Sequence, residues 1–209
     1  MGSDGAEHDC QAGNYELLER IGFGGMAEVF RARVVGLAGF EKVVAVKRIL
    51  PAFCDDREFL TRFVDEARLT ARLTHPNICQ VLDFGVREGS YFIVMEFVDG
   101  FDLSTALSLY QRRGEQVPVD IALRIAAEVL RGLDYAHCLC DDEGHPLHIV
   151  HRDVSPHNVL ITTTGGVKVS DFGAATAIAE VRLARTQAGY GVGKLIYMAP
   201  EQAIAASTD

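Results

Sequence analysis

The sequence predicts an α+β chain in two lobes: a five-stranded antiparallel sheet with one helix, then a mainly helical part. Three observations carry this. Up to residue 98, short alternating apolar runs are separated by Gly, Asp and Asn turns, with a single stretch of helical spacing among them. Beyond Asp99-Gly100 the apolar period changes to that of helices. The chain has 209 residues, 48% of them hydrophobic, which suffices for one large domain or two small lobes.

Residues 1–13 are polar, acidic and small, and are expected to be disordered. They contain no apolar segment of a secretory signal. Gly2 suggests myristoylation, but position 6 is Ala rather than Ser or Thr. Residues 15–21, 27–35 and 43–49 read as strands, with Gly22-Phe23-Gly24-Gly25 as the first turn and residues 36–41 as the second. Asp55 or Asp56 can cap a helix running to about Leu73, in which Phe59, Phe63, Ala67 and Ala71 recur at helical spacing and Glu58–Arg62 form an i,i+4 pair. His75-Pro76-Asn77 ends it. Strands near 79–84 and 91–97 follow, joined by a turn at 87–90. Residues 14–98 form the first lobe and 99–209 the second, with the hinge at 96–100. Helices are expected near 103–112 and 119–139, the latter with Ala122, Ile125, Val129, Leu133 and Ala136 on one face.

The formal net charge is −9. That argues against nucleic acid as a partner and provides no basic patch for a membrane surface. No apolar run approaches the roughly 18 residues of a membrane span. Five cysteines without a secretory signal read as reduced thiols, so a cytoplasmic location is expected. His137, Cys138, Cys140, His145, His148 and His151 crowd together, but Cys-Leu-Cys is too tight for a zinc pair, and residues 141–148 read as a solvated loop.

The chemistry concentrates in His151-Arg152-Asp153-Val154-Ser155-Pro156-His157-Asn158 and Asp171-Phe172-Gly173. Residues 159–161 and 167–169 read as two short strands around a Thr-Gly turn, a hairpin that brings Asn158 and Asp171 together at its open end. An amide oxygen beside a carboxylate makes a hard site suited to Mg²⁺ that still carries water and phosphate. Asp153, on the preceding loop, can accept a proton from a hydroxyl nucleophile. Upstream, Ile21-Gly22-Phe23-Gly24-Gly25-Met26-Ala27 is a glycine turn between two strands. That context suits a flap over phosphates rather than a dinucleotide fold. Lys47, on a strand face with Ala45, needs a carboxylate if buried, and Glu66 on the helix is the candidate.

In this order and spacing, these segments resemble the catalytic domain of bacterial eukaryotic-like serine/threonine protein kinases. Met95-Glu96-Phe97 and Met198-Ala199-Pro200-Glu201 add to the likeness, and the latter is serine/threonine rather than tyrosine in style. The resemblance implies a two-lobe kinase fold, ATP and Mg²⁺ as cofactors, and proteins as substrates. It implies that Lys47 holds phosphates and is oriented by Glu66, that Asn158 and Asp171 bind Mg²⁺, and that Asp153 accepts or orients the substrate proton. Ile21, Gly22 and Gly24 would belong to the flap. Val29, Ala45 and Leu160 would sandwich adenine, with Met95 behind it, the backbones of Glu96 and Val98 bonding its edge, and Asp102 reaching the ribose. His151 and Phe172 would pack between the lobes. Arg152 would dock a phosphorylated residue of the segment 171–201, where Thr176, Thr186 and Tyr190 are available and Thr186 is the expected autophosphorylation site.

Three departures qualify this. Ala27 replaces the third glycine. Ser155 stands where the family has a lysine, and Lys194 stands where it has a threonine, so Lys194 is expected to supply the missing catalytic cation. The resemblance also implies further helices after Asp209, so a missing C-lobe or a partner is expected to cover an apolar face, and the 209-residue chain alone is expected to be a marginal kinase. Two other readings remain: a non-catalytic kinase-like module that binds nucleotide or a partner kinase, and a small-molecule phosphotransferase on the same fold.

Overall fold

The computed structural model of the chain describes residues 11–12, 14–24, 26–36, 39–172 and 196–200. Expectations for residues 1–10, Gly25, Gly173, Thr176, Thr186, Tyr190, Lys194 and Glu201 lie outside the described residues, as do the side chains of Glu58, Arg62 and Glu66. Two compact units are present, Met1–Leu60 with Val81–Phe97 and Thr61–Gln80 with Val98–Asp209.

The first unit is an antiparallel sheet. Its strands are β1 (Gln11–Ala12), β2 (Tyr15–Phe23), β3 (Ala27–Val35), β4 (Glu41–Ile49), β5 (Val81–Arg87) and β6 (Ser90–Glu96), in the order β1-β2-β3-β4-β6-β5. The expected five strands are thus extended by a two-residue strand inside the segment read as disordered. Alternation sends Leu17, Ala32, Val44, Val46, Phe92 and Val94 into one core. Each fully buried aliphatic side chain there contributes roughly 1.5–3 kcal/mol. The Tyr15 hydroxyl donates to Asp83 Oδ2 at 2.9 Å, tying β2 to β5 although they lie far apart in the strand order. Burial, and then the Asp83 carboxylate, push the phenol up to about 12.

Helix α1 (Arg57–Thr70) starts as its sequence dictates: Phe59 N donates to Asp56 Oδ1 at 3.0 Å, the capping bond expected of an aspartate at this position. It ends at Thr70 rather than near Leu73. The chain tightens into i→i+3 bonds there, with Leu73 N donating to Thr70 O at 3.0 Å.

The second unit contains β7 (Gly100–Asp102), α2 (Leu103–Arg113), α3 (Val119–Cys138), β8 (Val159–Thr162) and β9 (Val167–Val169), with the strands ordered β7-β8-β9. Asp99-Gly100, read only as a break, leads into a strand. Gly100 pairs with Thr162, and a Cβ on Gly100 would lie 1.9 Å from Ile161 O, so only glycine fits. Gly114 ends α2 in the left-handed conformation, at φ 66°.

Residues 61–80 group with this unit rather than with the sheet, and Asn77 supplies the reason. Its Nδ2 donates to Glu128 Oε2 on α3 at 2.6 Å and to Val167 O at 2.9 Å. Val169 N donates to Asn77 O, and Cys79 N to Val169 O, each at 2.8 Å. Cys79 is therefore bonded to β9, and β5 begins two residues later than expected. Leu73, Ile78, Ala136, Ile149, Val169 and Phe172 form the core around this clamp. Gly132 of α3 lets the helix approach: a Cβ there would meet Asn77 O at 2.9 Å.

Alanine is normally the better helix former by about 1 kcal/mol. Gly132→Ala should nevertheless destabilise the protein by roughly 1–3 kcal/mol, because α3 must move off the Asn77 backbone. Chemical denaturation of the two proteins checks this. An unchanged or raised midpoint would show that the approach is not limiting.

Candidate active site

In the second unit the candidate residues are organised around His151, which is 1% exposed. Asp153 N donates to His151 Nδ1 at 3.2 Å. Nδ1 is therefore an acceptor, the ring proton sits on Nε2, and Nε2 donates to Ser170 O at 2.9 Å. One neutral imidazole thus joins the loop carrying Asp153 to the chain just before Asp171. Phe172 packs against the ring with centroids 4.6 Å apart. Burial holds the imidazole pKa below its ordinary value, against the raising influence of its bond to Ser170 and the charges of Asp153 and Asp171.

Asn158 closes the loop from the other side. Its Nδ2 donates to Asp153 O at 2.7 Å and to Asp153 Oδ2 at 2.9 Å. Ser170 N donates to Asn158 O at 2.9 Å, continuing the ladder in which Val159 pairs with Val169. Asp171 therefore leaves the hairpin beside Asn158, as the sequence pattern required. Arg152 and Asp171 both take positive φ, 60° and 59°. Non-glycine residues adopt this at a cost on the order of 1–3 kcal/mol each, and such strain concentrates at working sites. Ser155 is 3% exposed, and its Oγ has no hydrogen-bond partner among the described residues.

The donor set fits a hard cation. With its amide nitrogen committed to Asp153, Asn158 has Oδ1 left for a metal, and Asp171 adds a carboxylate. Among the described residues no group of three or more His, Cys, Asp or Glu side chains could hold a metal. Two oxygen ligands match an ion that fills its shell with water and phosphate.

The first unit carries four of the expected residues on one sheet face. Val29 pairs with Lys47 across β3 and β4, and Ala45 pairs with Met95 across β4 and β6, so all four share a side. Ala45 and Met95 are buried. Gly22 pairs with Val29, and Gly24 N donates to Ala27 O at 2.9 Å, closing the glycine turn between strands. Ile21 and Glu96 lie at the ends of β2 and β6 near these pairs, while Val98 begins the second unit.

Asp102 and Leu160 are direct cross-strand partners. Asp102, however, caps α2: Thr105 N donates to Oδ1 at 2.9 Å and Thr105 Oγ1 to Oδ2 at 3.0 Å. The Asp-x-x-Thr spacing signalled this role, and the sequence reading missed it. The coupling of His151 to Ser170 and the burial of Ser155 were also not anticipated.

Residues 15–208 match the family described as protein kinase domain. The chain belongs to this family. The kinase domain is 47% identical to Tyrosine-protein kinase MasK of Myxococcus xanthus over 91% of this chain and 29% of that protein. It is 36% identical to Serine/threonine-protein kinase PrkC of Bacillus subtilis over 92% of this chain and 27% of that protein. The chain thus spans under a third of the length of these relatives. Among solved structures it is similar to the PknI kinase domain of Mycobacterium tuberculosis, at 34% identity and a TM-score of 0.62, covering 77% of this chain and 60% of that one. No helix among the described residues of the kinase domain is long and apolar enough to cross a membrane.

The depressed imidazole pKa gives a signed pH dependence. Below about pH 6.5 the unfolded chain protonates His151 while the folded ring resists, so stability falls as pH drops through this range and is fully present above it. Protonation would also turn Nδ1 into a donor facing Asp153 N–H. Melting curves from about pH 8 to about pH 5 should therefore fall more steeply for the wild type than for His151→Phe. Parallel curves would remove His151 as the titrating group.

Proposed function

We propose that this chain is the catalytic domain of a bacterial protein serine/threonine kinase that transfers the γ-phosphate of ATP to protein hydroxyls. The reading is supported above all by the set of bonds joining Asp153, Asn158, Ser170 and His151, which orients the Asp153 carboxylate next to the Asn158 amide. Bound ATP with a divalent cation would supply the transferable phosphoryl group and neutralise part of its charge.

The chain's own residues divide the remaining work. Asn158 Nδ2 holds Oδ2 of Asp153, so the carboxylate orientation is set before a substrate hydroxyl arrives, and Asp153 takes or orients its proton. Asn158 Oδ1 and the Asp171 carboxylate would hold the metal. Lys47, oriented by Glu66, would hold phosphate oxygens. Val29, Ala45, Leu160 and Met95 would enclose the base, with Ile21, Gly22 and Gly24 over the phosphates and the backbones of Glu96 and Val98 at the adenine edge. Any ribose contact by Asp102 would use lone pairs left over from its capping role. Lys194 would replace the cation lost at Ser155, and Thr186 would be the autophosphorylation site.

A second reading, tyrosine as the acceptor, is favoured by one observation: the 47% identical relative is named a tyrosine kinase. Phosphoamino-acid analysis of protein phosphorylated by the full-length protein separates the two. Phosphoserine and phosphothreonine are expected, and phosphotyrosine alone would replace the first reading with the second.

Lys47→Met and Asp153→Asn should each lower transfer by at least about 10²-fold without unfolding the protein. Activity retained in both would remove the kinase assignment. Lys194→Met should lower turnover while nucleotide affinity changes little, and adding Ser155→Lys should recover part of the loss. Unchanged turnover in Lys194→Met would end the charge-replacement idea while leaving the kinase reading in place.

A further inference from the structure

Helix α3 ends at Cys138, and the chain leaves it through Leu139 in an extended conformation, φ −67° and ψ 129°, to reach Cys140. Both thiols are exposed, and both line one open cleft of about 490 Å³ with Asp134 and Tyr135. The Cys140 thiol turns back toward the helix end, with Sγ 3.6 Å from Cys138 O. The Cys138 thiol has only a long contact, 3.9 Å to Asp134 Oδ1. Sulfur contacts of this length are weak, so neither side chain is locked. Two residues apart, the Cα atoms are separated by no more than roughly 7 Å whatever the backbone does. Disulfides span about 4.4–6.8 Å between Cα atoms, so a small tightening at Leu139 brings the pair into range. Among the described residues no group of three or more His, Cys, Asp or Glu side chains could complete a metal centre around them.

Two accessible thiols in one cleft, a single residue apart, are placed to give up two electrons together. We propose that Cys138 and Cys140 form a reversible oxidation site whose oxidant is hydrogen peroxide. One sulfur, as thiolate, attacks a peroxide oxygen. The O–O bond breaks, and the hydroxide that leaves takes up the proton the thiol released, giving a sulfenic acid and water. The second sulfur attacks the first: the S–S bond forms, the S–O bond breaks, and a second water leaves with the second thiol's proton. The two sulfurs lose two electrons and the peroxide gains them. A bond closed across one residue is strained, and strained disulfides are readily reduced again, so the pair cycles between its two states. Closure also reaches the neighbouring loop. Leu139 O accepts from Leu147 N at 2.9 Å, Asp141 N donates to His145 O at 2.9 Å, and Cys140 pairs with Pro146 in an isolated bridge. Drawing Cys140 toward Cys138 turns the Leu139 peptide away from these partners and loosens the stretch that leads to His151. The proposal rests on the two thiols and is independent of phosphoryl transfer.

The test treats the full-length protein with hydrogen peroxide, blocks the remaining thiols with iodoacetamide and measures peptide masses after trypsin. Residues 132–152 form one tryptic peptide that holds both cysteines and no other. It should be unalkylated and lighter than its reduced form by two hydrogens, and dithiothreitol should restore alkylation at both positions. Cys138→Ser and Cys140→Ser should each abolish this product and leave the remaining sulfur as a sulfenic acid that dimedone traps. Amide exchange in residues 141–147 should quicken about tenfold or more on oxidation and return on reduction, with no change in Cys138→Ser. Both cysteines still alkylated after peroxide, either one carried on to a sulfinic acid without a disulfide, or bonds to cysteines elsewhere would each overturn the site. A disulfide that forms while exchange at residues 141–147 stays constant overturns the link to the loop.

Discussion

The buried imidazole of His151 is the constraint on which the candidate catalytic segment depends. Asp153 and Asp171 are eighteen residues apart in sequence, and neither lies in a helix or strand that would fix it. His151 closes this gap with two bonds, one accepted from Asp153 N and one donated to Ser170 O. Only a neutral imidazole with its proton on Nε2 satisfies both. A protonated ring would offer two donors, and an aliphatic residue of similar size would offer neither bond. The desolvation that keeps the ring neutral is therefore part of the site's geometry, because a buried charge there would break one of the two connections.

The surrounding core makes this arrangement affordable. Arg152 and Asp171 sit at positive φ, which costs energy that the loop alone does not return. The return comes from beneath it. Ile149, Val169 and Phe172 are buried against Leu73, Ile78 and Ala136, and Asn77 fastens α3 and β9 to the same short segment through bonds to Glu128, Val167 and Val169. The Glu128 carboxyl is held below its usual range, first by Asn77 and then by Arg131, so the clamp contains an ionised acceptor at neutral pH. With these three bonds converging on it, Asn77 fixes the core on which the strained loop rests.

Much of this was legible in the sequence, and what was not has a common cause. Strand alternation located β2, β3, β4 and β6 closely, because each carries its own apolar rhythm. Asp56 was readable as a helix cap for the same reason: the bond spans three residues. The misses are contacts made at long range. Gly100 reads locally as a break and becomes a strand only because Thr162 is there to pair with it. Asn77 reads as turn punctuation, and its partners lie 51 and 90 residues away. Asp102 was the reverse case. A resemblance supplied a ligand role, while the local Asp-x-x-Thr spacing already implied a cap, and the structure uses the local bond. On the loop before the β8–β9 hairpin, spacing singled out Asp153, Asn158 and Asp171 as candidates, but the burial of Ser155 is something spacing does not encode.

Ser155 bears on how the site manages charge. The chain carries a net charge of −9, so an anionic nucleotide gains nothing from its overall field. At physiological salt such fields are screened beyond about 8 Å. A single opposite charge at about 4 Å is worth on the order of 4 kcal/mol before desolvation in a partly exposed site, so individual cations decide what is held. Ser155 is neutral and 3% exposed, so it brings no cation to the loop that carries Asp153. On the proposed kinase reading, a cation opposing the developing phosphate charge would have to reach the site from elsewhere in the chain, and a lysine on a long aliphatic stem can do so without the fixed approach that an arginine fork requires.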